Sequence, residues 1–182
     1  MSKLLKSIDI ELTAASINAA IREINMMAQQ LEEQCLELVR LMQEEGVSIA
    51  KMQVMALDAV MTGDLEQSIK GVFDKERGVG IVYSDVPHAL FVEFGTGVEG
   101  DRTFHDMSGA ENINWEYDTN QHGDNGWWYP APWGWWIPKE GAHAGEPMAW
   151  TKGMPARPFM LDTLRWLEEI APERASGMFY QM

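Results

Sequence analysis

The sequence predicts an α+β fold in which one long helix packs on a small, mainly antiparallel sheet. Three observations carry this. Apolar residues recur at alternating spacings of four and three through the N-terminal quarter of the 182-residue chain, which is a helical period. Two short alternating segments follow, joined by a polar connection ending in glycine, which is the pattern of a hairpin. A second helical stripe returns near the C-terminus, entered through two prolines and ended by a third.

The first element is the clearest. Ile10, Ala14, Ile17, Ile21, Ile24, Ala28, Leu31, Cys35, Leu38 and Met42 form an a/d seam. No Pro or Gly interrupts the chain from Lys3 to Glu45. A helix is expected from about Asp9 to Glu44, roughly 50 Å long at the α-helical rise. A compact body of this chain length is about 40 Å across. The helix therefore spans its domain or projects from it. Two readings stay open: packing entirely on its own sheet, or part of the seam (Ile17, Ile24, Leu31) packing on a neighbouring subunit. Cys35 lies on the seam, so a buried thiol is expected. As the single cysteine it excludes an intramolecular disulfide and a Cys-rich zinc site.

Gly46 marks a break or a kink, with Ser48 capping a further helical stretch if the helix breaks. Thr62-Gly63-Asp64 reads as a turn leading into one helical turn, Leu65 to Ser68. Ile69, Gly71 and Phe73 share one strand face, and Val79, Ile81 and Tyr83 share another, across Asp74–Gly78. A short helix, His88 to Phe94, is closed by Gly95.

From Thr96 to Gly153 periodicity is lost. Seven of the eight tryptophans lie here: Trp115, Trp127, Trp128, Trp133, Trp135, Trp136 and Trp150. The segment is too long and aromatic for a plain connector. Short strands are expected near 113–117 and 133–137. The tryptophans (Trp127, Trp128, Trp133, Trp135 and Trp136 above all) suit a protein–protein contact, a small aromatic core or a sugar-stacking platform. A last helix is expected from Pro158 to Ile170, stopped by Pro172. The organisation is then one domain, residues 1–171, with a Trp-rich insertion at about 97–152 and a tail at 172–182.

Composition narrows the function classes. The net charge is −14, and residues 85–150 hold 11 acids against Arg102 and Lys139. Such a surface repels phosphate, which disfavours nucleic-acid binding along the chain. It suits a basic partner, or a channel through which DNA slides without sticking. No signal sequence or membrane span is expected. His88, His105, His122 and His143 stand at no metal-ligand spacing, so neither metal nor cofactor is expected. No phosphate-binding loop or nucleophile elbow occurs. Glu93, between Val92 and Phe94, is the one acid on a largely apolar helix. It is expected to accept hydrogen bonds from loop N–H groups or from Arg157, with a catalytic acid as the lesser alternative.

Three stretches together resemble a known family. Met61-Thr62-Gly63-Asp64-Leu65-Glu66-Gln67-Ser68-Ile69 is similar to a TG-x-L-x-x-SI element. His88–Gly97 is similar to a YA-x-x-VEFGTG signature, with His88 where the family often has Tyr. Gly153–Met160 is similar to a closing G-x-PARPF. The family is the gene-product-ten-like neck and tail-completion group of siphophages and prophages. The long Trp-rich segment departs from its usual members. The resemblance implies an α+β virion protein that catalyses nothing and forms a ring, most simply of six copies, at the head–tail junction. It implies neck, stopper, tail-terminator or tail-tube proteins as neighbours, passage of DNA without specific binding, and assembly in the host cytoplasm. It assigns structural roles to Gly63, Leu65, Glu93, Phe94, Gly95, Thr96, Pro155, Arg157, Pro158 and Phe159. Tail termination, or a carbohydrate- or receptor-contacting role for the Trp-rich insertion, are the alternatives.

Overall fold

A computed structural model describes residues 8, 11–57, 63–100 and 126–179. The chain is α+β. Its helices are α1 (Ala14–Ala56), α2 (Asp64–Ser68), α3 (Ala89–Phe94) and α4 (Phe159–Phe179). Its strands are β1 (Ile69–Asp74), β2 (Val79–Ser84), β3 (Thr96–Gly97), β4 (Trp127–Pro130), β5 (Met148–Thr151) and β6 (Gly153–Met154). The strands pair two by two: β1 with β2, β3 with β6, and β4 with β5. Two compact units result. One holds the chain up to Lys51, Ile69–Tyr83 and the chain from Thr163; the other holds Met52–Ser68 and Ser84–Asp162.

In the first unit, α1 starts at Ala14, later than the apolar pattern suggested; Asp9 and Ile10 lie outside the described residues. Thr13 sets the start. Its Oγ1 accepts the Ser16 N–H at 3.2 Å and its carbonyl accepts the Ile17 N–H, which satisfies two first-turn donors. The helix does not break at Gly46. A Cβ there would lie 3.0 Å from Leu167 Cδ1 and from Val82 Cγ2, so the glycine lets α4 and β2 press on α1. Ser48 caps nothing; its hydroxyl donates back to the Glu44 carbonyl at 3.3 Å.

The β1–β2 hairpin lies on α1 through its glycines. A Cβ on Gly80 would meet Gln43 Cβ at 2.7 Å and the Val39 carbonyl at 3.2 Å, and one on Gly71 would meet Val47 Cγ2 at 2.8 Å. The covered stripe of α1 is thus Leu36, Val39, Gln43 and Val47, beside the a/d seam and not on it. Cys35 is consequently exposed, against expectation. On the far face of the hairpin Val72, Val79, Ile81 and Tyr83 are exposed.

α4 also runs further than expected, through Pro172 to Phe179. A helix-interior proline loses one hydrogen bond and crowds the preceding turn, at about 3 kcal/mol. Beyond it, Arg174 anchors the helix to α1 with a forked pair to Glu45, Nη2–Oε1 2.7 Å and Nε–Oε2 3.0 Å. That hydrogen bond holds the Glu45 carboxyl below its ordinary range. Arg40 makes a similar fork along α1 to Glu37, at 2.6 and 2.8 Å, and reaches Glu44 as well.

The second unit contains α2, α3 and the four short strands. Gly63, at φ 82°, turns the chain into α2, and Leu65 is buried. The Ser68 hydroxyl, at the end of α2, meets Ser84 Oγ at 2.7 Å. The strand expected near 133–137 is absent. Trp127–Pro130 takes that place, paired with Met148–Thr151, and Trp136 makes only a single bridge to Met148. Alternating polarity could not reveal this pairing, because Trp127–Tyr129 is aromatic on both faces. The other expected strand, near 113–117, lies outside the described residues.

Candidate assembly surfaces

Two of the three motif stretches, His88–Gly97 and Gly153–Met160, meet in the second unit. α3 is short and nearly all apolar, and it buries Ala89, Val92, Glu93 and Phe94. Gly95 leaves it at φ 74°, ψ −169°, a region outside the usual left-handed helix cap and open to glycine alone. Thr96 and Gly97 then pair antiparallel with Met154 and Gly153. The approach is so close that a Cβ on Gly153 would collide with the Thr96 carbonyl, and one on Gly97 with the Lys152 carbonyl.

The chain continues through Pro155 and Arg157, whose N–H donates to the Val92 carbonyl at 2.8 Å. At Phe159 it enters α4, with Pro158 supplying the carbonyl for the Asp162 N–H at 2.9 Å. Glu93 completes the frame. Its Oε2 accepts the Met160 N–H at 2.9 Å and its Oε1 the Leu161 N–H at 3.1 Å. These are first-turn donors with no partner inside their own helix. A carboxylate at a helix N-terminus also faces the positive end of the dipole. Glu93 thus serves as a cap supplied from another helix, and the residue is only 6 % exposed. The Arg157 guanidinium points elsewhere, with Nη1 3.6 Å from Met154 Sδ. Phe94 and Phe159 are core residues.

Two surfaces present exposed apolar side chains, although Ala20, beside the first, is itself buried. The first is the N-terminal part of α1. The hairpin tip reaches α1 at Leu36, and an open groove of about 470 Å³ between α1 and the end of α4 is lined by Gln30, Glu33, Gln34, Glu37 and Met178. Towards the N-terminus from there, Ile17, Ile21, Ile24 and Leu31 are 42–51 % exposed, and Ala14 and Ala28 are exposed too.

The second surface is aromatic. Trp128 on β4 pairs with Trp150 on β5. The Trp128 ring lies 4.8 Å from those of Trp135 and Trp136 and 5.5 Å from that of Trp150. The Met148 carbonyl accepts the N–H of Trp135 at 3.0 Å, and the Trp136 carbonyl accepts the Met148 N–H at 2.7 Å. These bonds fold the segment back on the hairpin. Trp127 and Trp128 are half-buried, whereas Trp133 and Trp135 are 66 % and 75 % exposed and Trp136 is 42 % exposed. The cluster is therefore both a small aromatic core and an open aromatic surface.

Sequence reasoning located Glu93 but not the donors it caps, because those lie 67 and 68 residues away. It missed the Gly97–Gly153 contact for the same reason. The only signal was a glycine in each of two separate motifs. Among the described residues no group of three His, Cys, Asp or Glu side chains is placed to hold a metal ion. His143 instead pairs with Glu146 at 3.0 Å. Among the described residues no helix is long and apolar enough to cross a membrane. The chain matches no family model, no curated protein and no solved structure with which it was compared.

Proposed function

We propose that this chain is a structural subunit of a tailed-phage virion, forming a ring at the head–tail junction that joins or seals the tail to the head and leaves a channel for DNA. The observation that carries the reading is the interlocked frame of Glu93, Gly95–Gly97 and Gly153–Leu161. The residues that resemble the neck and tail-completion family are those that hold α3, the β3–β6 pair and the start of α4 together. Both carboxylate oxygens of Glu93 are engaged by backbone N–H groups, which suits a framework role. Ring subunits need two unlike surfaces that fit each other, and the α1 seam and the Trp surface are available to neighbours. A net charge of −14 suits a channel wall that lets DNA pass.

The test is imaging of purified protein and of intact particles carrying a labelled copy. Closed rings, most simply of six copies, at the neck or upper tail end are expected. A strictly monomeric chain in both settings would sink the proposal.

A second reading rests on the exposure of Trp133 and Trp135. Flat indole faces held on a hydrogen-bonded turn suit stacking against a sugar ring, which would make the insertion a carbohydrate- or receptor-contacting part of the virion. Glycan-array binding lost in Trp135→Ala would favour it over a purely internal role.

A further inference from the structure

We infer that residues 173–179, the part of α4 beyond Pro172, form a hinged strap that opens from α1 as one unit while the rest of α4 stays in place. Before Pro172 the helix is anchored. Thr163 is 3 % exposed, Leu167 and Ile170 are half-buried, and Leu167 lies over the bare backbone of Gly46. Beyond Pro172 the stripe thins to Ala175, Met178 and Phe179, all half-buried, while Glu173, Arg174, Ser176 and Gly177 are exposed. Two turns of helix are not stable alone in water. The strap is therefore helical only while it lies on α1.

Three features weaken its closed position. Pro172 has no N–H to give to the preceding turn, and its ring crowds that turn, so the helix ladder is already interrupted where the strap would swing. Gly177 adds backbone freedom inside the strap, and nothing lies within 4 Å of the place its side chain would take. The third feature is on α1. Gln34 buries its Oε1 without a hydrogen-bond partner, beside the groove of about 470 Å³ that it lines together with Met178. A buried acceptor left unmatched favours any state in which water reaches it, and opening the strap supplies that water.

The fork from Arg174 to Glu45, at 2.7 and 3.0 Å, holds against these. Both side chains are partly exposed, at 45 % and 30 %, so the tie is modest. It lies two residues past the hinge, while Met178, near the far end, borders the groove.

Opening uncovers α1 beside Gln34 and Glu45 and frees the stripe of Ala175, Met178 and Phe179 at the same moment. The surface that α1 offers to a neighbour is thus set by the strap, as in switches built on a segment that orders and releases. The device goes beyond the ring reading and does not rest on it.

Amide hydrogen exchange of the full chain, resolved residue by residue by NMR, tests the inference. Opening as a unit gives residues 173–179 one common protection factor, expected about 100-fold or more below that of residues 165–170. Arg174→Ala is expected to lower the common value about fivefold. Gln34→Met, which replaces the unmatched acceptor with an apolar chain of similar length, is expected to raise it about fivefold. Pro172→Ala, which restores the missing donor, is expected to raise it about tenfold or more and shrink the step. Protection that falls smoothly towards Phe179 with no step at Pro172 is ordinary end fraying and would overturn the inference. Strap amides as protected as residues 165–170, or a common value indifferent to Gln34→Met, would overturn it as well.

Discussion

The carboxylate of Glu93 on α3 accepts the backbone N–H of Leu161 at 3.1 Å, in the first turn of a helix that starts 66 residues further along the chain, at Phe159. Its second oxygen takes the Met160 N–H, so one buried side chain fixes both the place and the direction from which α4 starts. Removing the side chain strands two donors in a protected place. Glu93→Ala is expected to lower unfolding free energy by about 2–3 kcal/mol, and Glu93→Gln, which keeps an oxygen but loses the charge, by about 1 kcal/mol. Urea unfolding of the purified variants checks the order; equal losses would contradict the capping role.

The β3–β6 contact depends on the lack of side chains at Gly97 and Gly153. Gly153 has φ 119°, and an added methyl would collide with the Thr96 carbonyl. Gly153→Ala is expected to cost about 3 kcal/mol or more through strain and overpacking. Gly177→Ala, in α4 with open space around it, is expected to stabilise by about 0.5 kcal/mol. Thermal melts of the two variants should move in opposite directions.

Glu45 and Arg174 give the first unit an acid-sensitive tie. The Arg174 hydrogen bond lowers the Glu45 carboxyl below its ordinary value of 4.5. A carboxyl depressed in the folded state contributes stability that is fully present above its unfolded value and is lost as pH falls through the folded one. The loss therefore falls in acid below pH 4.5 and does not touch neutral solution. A side-chain NMR titration should show the Glu45 midpoint rising towards its ordinary value in Arg174→Ala. Added salt should have the same sense in wild type, because the pair is partly exposed.

Within the aromatic cluster the structure separates supporting from presented rings. Trp128 lies within ring contact of three other indoles, whereas Trp135 is 75 % exposed. Trp128→Ala is expected to destabilise the second unit by about 3 kcal/mol and to diminish the near-ultraviolet circular dichroism. Trp135→Ala is expected to change stability by less than about 0.5 kcal/mol. If the two variants melt alike, the division is wrong.

The sequence by itself determined the elements that depend on neighbours along the chain. Helical spacing gave α1, two alternating runs gave the β1–β2 hairpin, and Gly63 and Pro158 marked where local backbone geometry changes. Local pattern also selected Glu93, because a carboxylate in an apolar helix must find donors. Only the tertiary structure decided which face of α1 is covered. The hairpin took Leu36, Val39, Gln43 and Val47, since its own glycines allow close approach there, and Cys35 and the seam N-terminal to it were left exposed, while Leu38 and Met42 are half-buried. Tertiary contacts also carried α1 through Gly46, where α4 and β2 press on the bare backbone, and tied the part of α4 beyond Pro172 to α1 through Arg174 and Glu45. The frame that joins residues 93–97 to 153–161 belongs to the same class. Its hydrogen bonds link groups that no local periodicity brings together, and long-range packing alone decides which donor a buried carboxylate meets.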